Sequence, residues 1–345
     1  MGITTKEIAK ICEVSRTTVD RALKGRGRIN PDTKAKILTV ARERGYRPDL
    51  LARSLITGKT MHIGVVVFDI RNYYFAEMLN SIENRAYEKG YYVNINLQEE
   101  DREKEIHIID SMVDRRVDGI ILCPVNKGPE FEKYILSLPI PVVVIGNFIS
   151  SQIPFIGINE KQAAYEAVDM LLKKAYSRII FVCPPLVYRD SKNLYSHEQR
   201  AAGFQERINM ESTIESVLIT GMDYINILKN ELKSAAADSK FDTLEQPQLS
   251  NKRQRTAVFC SGDIYALTIM KHLNEWGIRV PDDVGIMGFD NIHILEFISP
   301  QLSTVSNAVE SVAITAVDNL VDLMNNKKPE KIKFLEHHII GGSTV

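Results

Sequence analysis

Ser15-Arg16-Thr17-Thr18, followed one helical turn later by Arg21, gathers guanidinium and hydroxyl groups at the opening of one short segment. Arginine can donate a bidentate pair to the O6 and N7 of guanine, and threonine can touch a phosphate or a thymine methyl. Lys24, Arg26 and Arg28 come next and are better suited to phosphates than to bases. Asp20 is an anion within this set; it repels phosphate and is placed to orient Arg16 or Arg21. A second group is Asp69, Asn72, Tyr73, Tyr74 and Phe75, where flat aromatic faces adjoin amide and carboxylate groups. That mixture suits a sugar ring, whose hydroxyls need pairing while its C–H face needs stacking. Each residue alone also has a plainer reading, as a solvated basic face or as core aromatics.

The basic group sits on elements that the sequence marks clearly. Thr4 followed by Glu7 is a capping box, so a helix begins near Thr5; Ser15 caps a second, Arg16 to Leu23. Asn30-Pro31 opens a third, which Gly45 closes. Ile8, Ala9, Val14, Val19, Leu23, Ile37, Val40 and Ala41 fall at helical spacings that can share one small core. Two helices joined by the short turn Cys12-Glu13-Val14, with a third beneath, are the layout of a helix-turn-helix. Pro48 to Gly58 reads as a linker with a six-residue helical piece, Leu50 to Leu55, too short to hold a helix alone.

The aromatic group follows the first of a series of strands. From Met61 on, apolar runs such as Ile63 to Phe68, Gly119 to Cys123, Arg178 to Cys183 and Val284 to Phe289 alternate with amphipathic helical stretches. This alternation predicts parallel sheets wrapped by helices, and the length suits two doubly wound α/β units. Small molecules bind such units at the carboxyl ends of their strands. Ala236 to Arg255 breaks the pattern with polar residues and predicts a mobile loop.

The net charge of −1 hides an asymmetry, because residues 1–60 carry 14 Lys and Arg against 6 Asp and Glu. A basic head on an acidic body points the head at a polyanion. The chain opens without a basic, apolar leader and holds no apolar run long enough for a bilayer, which argues against secretion and membrane insertion and for the cytoplasm. Cys12, Cys123, Cys183 and Cys260 lie apart, which suits buried reduced thiols rather than disulfides or a metal site. A Gly-x-Gly-x-x-Gly turn after the first strand, a Walker loop and a Gly-x-Ser-x-Gly elbow are all missing. His337 and His338 are adjacent and point to opposite faces of a strand, a poor geometry for one metal. No enzyme, cofactor or metal is expected.

In this order the residues resemble the lactose/galactose repressor family over essentially the whole chain. The match runs from Thr4 to Leu23, through Gly45-Tyr46-Arg47-Pro48 and Leu51 to Leu55, to Ile63 to Val67 with Tyr74 to Glu77. It continues through Val117 to Ile121, Arg200 to Phe204, Val280 to Val284 and Gly288 to Asn291, and ends at Gly342-Ser343-Thr344. The resemblance implies an all-α helix-turn-helix headpiece (residues 1–48), a hinge (49–60) and a periplasmic-binding-protein-like core for effector binding and dimerisation (61–345). Lobe one would span about 61–159 and 291–323, and lobe two about 160–290 and 324–345. Arg16 and Thr17 then occupy specificity positions, Arg21 reads a base, and Thr4 joins the DNA-contacting set. Paired hinge helices enter the minor groove, with Leu55 as the wedge and Ala52 beside it, which requires a homodimer on a roughly palindromic operator. Asn147, Arg200, Asp263, Asp290 and Asn307 resemble effector contacts, joining Asn72, Tyr74 and Phe75.

The expected function is that of a repressor whose operator affinity a small molecule controls by shifting conformational populations. A sugar is the implied effector; a nucleobase or a phosphorylated metabolite is the alternative, and a ligand-binding protein without DNA activity is the more distant one. Three departures from the family pattern stand out: Glu13 where glycine is common, Asp20 where serine is common, and Gly262 where asparagine is usual. The family's tetramer-forming tail is also missing, since the chain ends at Val345.

Overall fold

Residues 3–47, 54, 58–238 and 255–345 are described by a computed structural model, in which the chain divides into two compact units, Met1–Thr60 and Met61–Val345. Ala52 and Leu55, the expected hinge contacts, lie outside the described residues, as does most of the expected loop at 236–255.

In the first unit, capping side chains set the helix starts. Thr4 Oγ1 accepts from Glu7 N at 3.3 Å while Glu7 Oε2 accepts from Thr4 N at 2.7 Å, opening α1 (Thr5–Cys12). Ser15 Oγ accepts from Thr18 N at 3.1 Å and opens α2 (Arg16–Leu23). Asn30 Oδ1 accepts from Asp32 N at 2.8 Å, with Pro31 at the first position of α3 (Pro31–Glu43). Ile8, Ala9, Cys12, Val19, Ala22, Ile37 and Ala41 form the buried centre, with Val14, Leu23 and Val40 packed around it.

The turn between α1 and α2 shows why glycine is favoured there. Glu13 adopts the left-handed region, φ 58° and ψ 41°. An L side chain in that region costs about 1–2 kcal/mol. Glu13→Gly should therefore stabilise the headpiece by about 1 kcal/mol, seen by calorimetry as a later headpiece transition. An earlier transition would mean that the glutamate makes a compensating contact.

The second unit is built on two parallel sheets. The first is assembled from β1 (His62–Val67), β2 (Tyr92–Leu97), β3 (Gly119–Leu122), β4 (Val142–Ile145), β5 (Phe155–Ile158) and β11 (Ile332–Leu335), in the order β11-β5-β4-β3-β1-β2. Around it lie α4 (Tyr73–Glu88), α5 (Arg102–Asp114), α6 (Pro129–Ser137) and α11 (Val309–Met324). The second sheet joins β6 (Arg178–Val182), β7 (Glu215–Ile219), β8 (Thr256–Cys260) and β9 (Val284–Met287), in the order β7-β6-β8-β9. Its helices are α7 (Glu160–Lys173), α8 (Tyr195–Asn209), α9 (Tyr224–Asp238) and α10 (Asp263–Glu275). A short antiparallel pair, β10 (Thr304–Ser306) with β12 (His338–Ile340), completes the unit. The inner strands β3, β4, β6 and β8 are buried throughout because helices cover both sheet faces.

Two of the expected lobe boundaries are corrected. β11 pairs in parallel with β5, from Ile332 opposite Phe155 to Leu335 opposite Ile158, so it extends the first sheet instead of joining lobe two. The cause is local: α11 packs on α4, and the chain leaving it at Met324 already lies beside that sheet. Residues 292–302, assigned to lobe one, pack with lobe two, where Ile292, Leu295 and Leu302 share a core with Val258, Cys260 and Ile286. The chain thus crosses between lobes at 158–160, 306–309 and 335–338.

One close approach governs where the site's arginine lands. A Cβ on Gly203 of α8 would stand 2.0 Å from the Lys161 carbonyl oxygen of α7, so only glycine lets the two helices meet at this depth. Arg200 precedes that contact by one turn.

Candidate functional site

On α2 the buried residues Val19 and Ala22 face the small core, and Arg16, Thr17 and Arg21 are exposed on the other side. Ser15 and Thr18 are engaged in capping, with their hydroxyls 2.8 Å apart. Thr4 likewise serves as the cap of α1. Lys24, Arg26 and Arg28 are exposed in the segment after α2, where Gly25 and Gly27 take positive φ of 64° and 83°. The exposed face therefore offers guanidinium and hydroxyl donors at the start of the second helix, the part of a helix-turn-helix that reaches base edges in a major groove.

In the second unit, a cavity of about 360 Å³ lies between the lobes at the carboxyl ends of strands from both sheets. Phe68, Asn72, Tyr74 and Phe75 line it from the end of β1 and the start of α4. The rings form an edge-to-face cluster, with centroids 5.3 Å apart for Phe68 and Phe75 and 5.1 Å for Tyr74 and Phe75. Asn72 caps α4 through Oδ1, which accepts from Tyr74 N at 3.1 Å. Tyr265 supplies an aromatic wall from the opposite lobe.

Lobe two contributes the buried charges. The Arg200 guanidinium is buried, donating through Nε to Glu160 Oε2 at 2.8 Å and through Nη1 to the Ser261 carbonyl at 2.6 Å. Asp290 Oδ1 is 3.4 Å from Arg200 Nη1 and accepts from Asn307 Nδ2 at 3.0 Å. The Phe289 ring lies 3.6 Å below the guanidinium. One arginine thus holds two carboxylates inside the lobe.

Two of the expected effector contacts lie one layer deeper. Asp263 is fully buried beneath Gly262, accepting from Thr304 Oγ1 at 2.6 Å and from Ile292 N at 3.0 Å. It orders the loop that carries Asp290 and does not line the cavity. Asn307 is also buried and reaches the cavity only through Asp290.

Asn147 lines the cavity but acts as a clasp. Its Nδ2 donates to the carbonyls of Pro124 at 3.3 Å and Asn193 at 2.9 Å, and its Oδ1 accepts from Ser196 N at 3.2 Å and Oγ at 3.0 Å. The segment between β6 and α8 is thereby strapped onto lobe one. Asn193 N donates to the Val125 carbonyl at 2.8 Å, and Lys192 Nζ pairs with Glu100 at 2.6 Å.

Glu160, His197 and Tyr265 were not anticipated from the sequence. Two of them had usable signals: Glu160 stands two residues past β5, as Asp69 stands two past β1, and His197 precedes Arg200 by three residues on one helix. Burial, reinforced by the Arg200 charge, pushes the His197 imidazole down to about 3, so it stands neutral in the cavity wall with a buried, unpartnered Nδ1.

Burial also drives the two aspartates upward, against the hydrogen bonds and the Arg200 charge. Asp263 is pushed up to about 7, and Asp290 is raised well above the usual carboxylate range. Between pH 8 and 6.5 the folded core should take up protons that the unfolded chain does not bind, so its stability rises as pH falls. Below about 6.5 the effect reverses for His197, because the unfolded imidazole binds a proton that the buried one refuses. Thermal melts should therefore rise steeply from pH 8 to 6.5 and more gently below it, where the proton that His197 refuses offsets one of the two that the aspartates hold; a core that only gains stability from pH 6 to 8 would contradict these assignments.

A head that offers base-reading donors and a two-lobed core with a cavity at its strand ends define a small-molecule-responsive DNA-binding regulator. Residues 4–49 match the model of bacterial regulatory proteins of the lacI family, and residues 168–344 match the periplasmic binding protein-like domain. The chain is 30% identical over 344 residues to catabolite control protein A of Priestia megaterium, covering 98% of each chain. The chain belongs to the lacI family of bacterial regulatory proteins. Among solved structures, the lac repressor dimer bound to operator and the anti-inducer ONPF aligns with a TM-score of 0.81 at 19% identity, covering 100% of this chain and 99% of that one. A periplasmic binding protein/LacI transcriptional regulator from Alkaliphilus metalliredigens QYMF, complexed with D-xylulofuranose, aligns with a TM-score of 0.67 at 26% identity, covering 82% and 98%. Membership makes the protein a sequence-specific DNA-binding transcriptional repressor with an effector-binding core.

Proposed function

We propose that the effector is a neutral sugar held in the inter-lobe cavity, and that it controls operator binding by a cytoplasmic homodimer without catalytic turnover. The observation that carries the ligand class is the pairing of charge. Each cation lining the cavity already has a carboxylate partner: Arg71 with Asp69 at 3.4 Å, Lys192 with Glu100 at 2.6 Å and Arg200 with Glu160 at 2.8 Å. A phosphorylated ligand would need an unpaired cation, and among the described lining residues none remains. A polyol can instead donate to Asp290, accept from Arg200 or His197, and stack on Tyr74 or Phe75. The D-xylulofuranose complex of the Alkaliphilus regulator supports the same class.

Arg16, Thr17 and Arg21 read bases, and Lys24 and Arg28 hold phosphates. Ala52 and Leu55 act in the hinge, residues 49–60. Exposed apolar residues on the edge strands of both sheets, Tyr92 and Ile95 of β2 and Leu218 of β7, supply surface for a second copy. Calorimetric titration of the purified protein with pentoses, hexoses, sugar phosphates and nucleobases tests the ligand, and sedimentation tests the dimer. A free sugar should saturate one site per chain and lose affinity at least tenfold on Tyr74→Ala. Binding of only a phosphate ester or a nucleobase would overturn the sugar assignment.

A further inference from the structure

The headpiece carries an anion in the middle of its groove-facing surface. At 3.6 residues per turn, Asp20 falls about 40° around α2 from Arg16 and about 60° from Thr17, so it sits between them on the face opposite Val19 and Ala22. It is half-exposed, and among the described residues its carboxylate has no hydrogen bond or ion pair. The expected pairing with Arg16 or Arg21 is not formed.

Such a placement has a cost on duplex DNA. The backbone presents one negative charge for about every 1.7 Å of axis, and an ionised carboxylate can only accept hydrogen bonds. The major-groove edges offer guanine O6 and N7, thymine O4 and adenine N7 as acceptors, all of which repel it. The donors there are the exocyclic amino groups, cytosine N4 and adenine N6. A carboxylate on this face is therefore compatible with one of those two groups opposite it and is penalised by every other base edge.

We propose that Asp20 is a specificity-determining residue: in each half-site its carboxylate accepts a hydrogen bond from the exocyclic amino group of a cytosine or an adenine. Arg16 and Arg21 flank it with bidentate donors suited to guanine, so the three side chains together demand an amino-bearing base next to a guanine. The inference rests on the DNA reading assigned to this helix and adds the contact that its anion makes.

The test is selection from random palindromic duplexes by the full-length protein and by Asp20→Ser and Asp20→Asn. The wild type should fix cytosine or adenine at one symmetric position, and the base chosen tells the two amino groups apart. Asp20→Ser should lose the preference at that position alone, whereas Asp20→Asn should retain a cytosine more weakly but hold an adenine at least as well, because its amide accepts from N6 and donates to N7. On the selected duplex, deleting that amino group, by 2-pyrimidinone for cytosine or purine for adenine, should weaken the wild type roughly tenfold to hundredfold. The same deletion should change Asp20→Ser by no more than about twofold, and circular dichroism checks that both variants remain folded. Unchanged selection by Asp20→Ser, or indifference of the wild type to the amino deletion, overturns the proposal. Failure to select any duplex would overturn the DNA reading beneath it.

Discussion

Arg200→Ala should lower the stability of the core by about 3–5 kcal/mol and abolish its response to the effector. The guanidinium is the only partner in the cavity wall that faces both Glu160 and Asp290 among the described residues. Removing it leaves two carboxylates in a buried site, and the energetic loss is that of stranding charge rather than of one contact. The loss should be greater at pH 8 than at pH 6, because Asp290, already raised by burial, is protonated more readily at the lower pH. Thermal melts at both pH values check this. A melting temperature within about 2 °C of the wild type at pH 8 would mean that water already shares these charges.

The second large effect is expected at Gly203→Ala. The added methyl would stand 2.0 Å from the Lys161 carbonyl oxygen and 3.1 Å from Tyr165 N, both backbone atoms that no rotamer change can move. α8 must back away from α7, at a cost of about 3 kcal/mol. It would carry Arg200 with it and lengthen the bond to Glu160, so effector affinity should fall at least tenfold even in the folded fraction. Denaturant titration and calorimetry separate the two consequences. Full affinity in a destabilised protein would show that the helix contact and the arginine's position are independent.

What could be read in the sequence follows the range of the forces involved. Thr4 with Glu7, Ser15 with Thr18, and Asn30 before Pro31 act within one turn, and the helix starts they mark are those observed. The end of β1 was legible for the same reason, which is why Asn72, Tyr74 and Phe75 line the cavity; Arg200 and Asp290, which line it too, came from the family resemblance. Depth was not legible. Asp263 and Asn307 stand at the right end of their elements, yet sit one layer beneath, a difference set by packing around Gly262 and Gly288 and not by spacing. Asn147 lines the cavity, and its hydrogen bonds to Asn193 and Ser196 of the other lobe add a clasp that no local pattern reports. The pairing of β11 with β5 joins residues far apart in the chain, and no local pattern reports that. Glu13 is the reverse case, a local departure whose meaning became clear only with its positive φ.

The central claim is that occupancy of the inter-lobe cavity changes the affinity of the headpiece for DNA. Its most direct test is fluorescence anisotropy of the selected duplex with the purified full-length protein, with and without the sugar that saturates the core. The account predicts salt-sensitive binding, roughly 10³-fold tighter than to scrambled DNA, with an affinity that the sugar changes at least tenfold. A sugar that saturates the cavity and leaves the duplex affinity unchanged would contradict it.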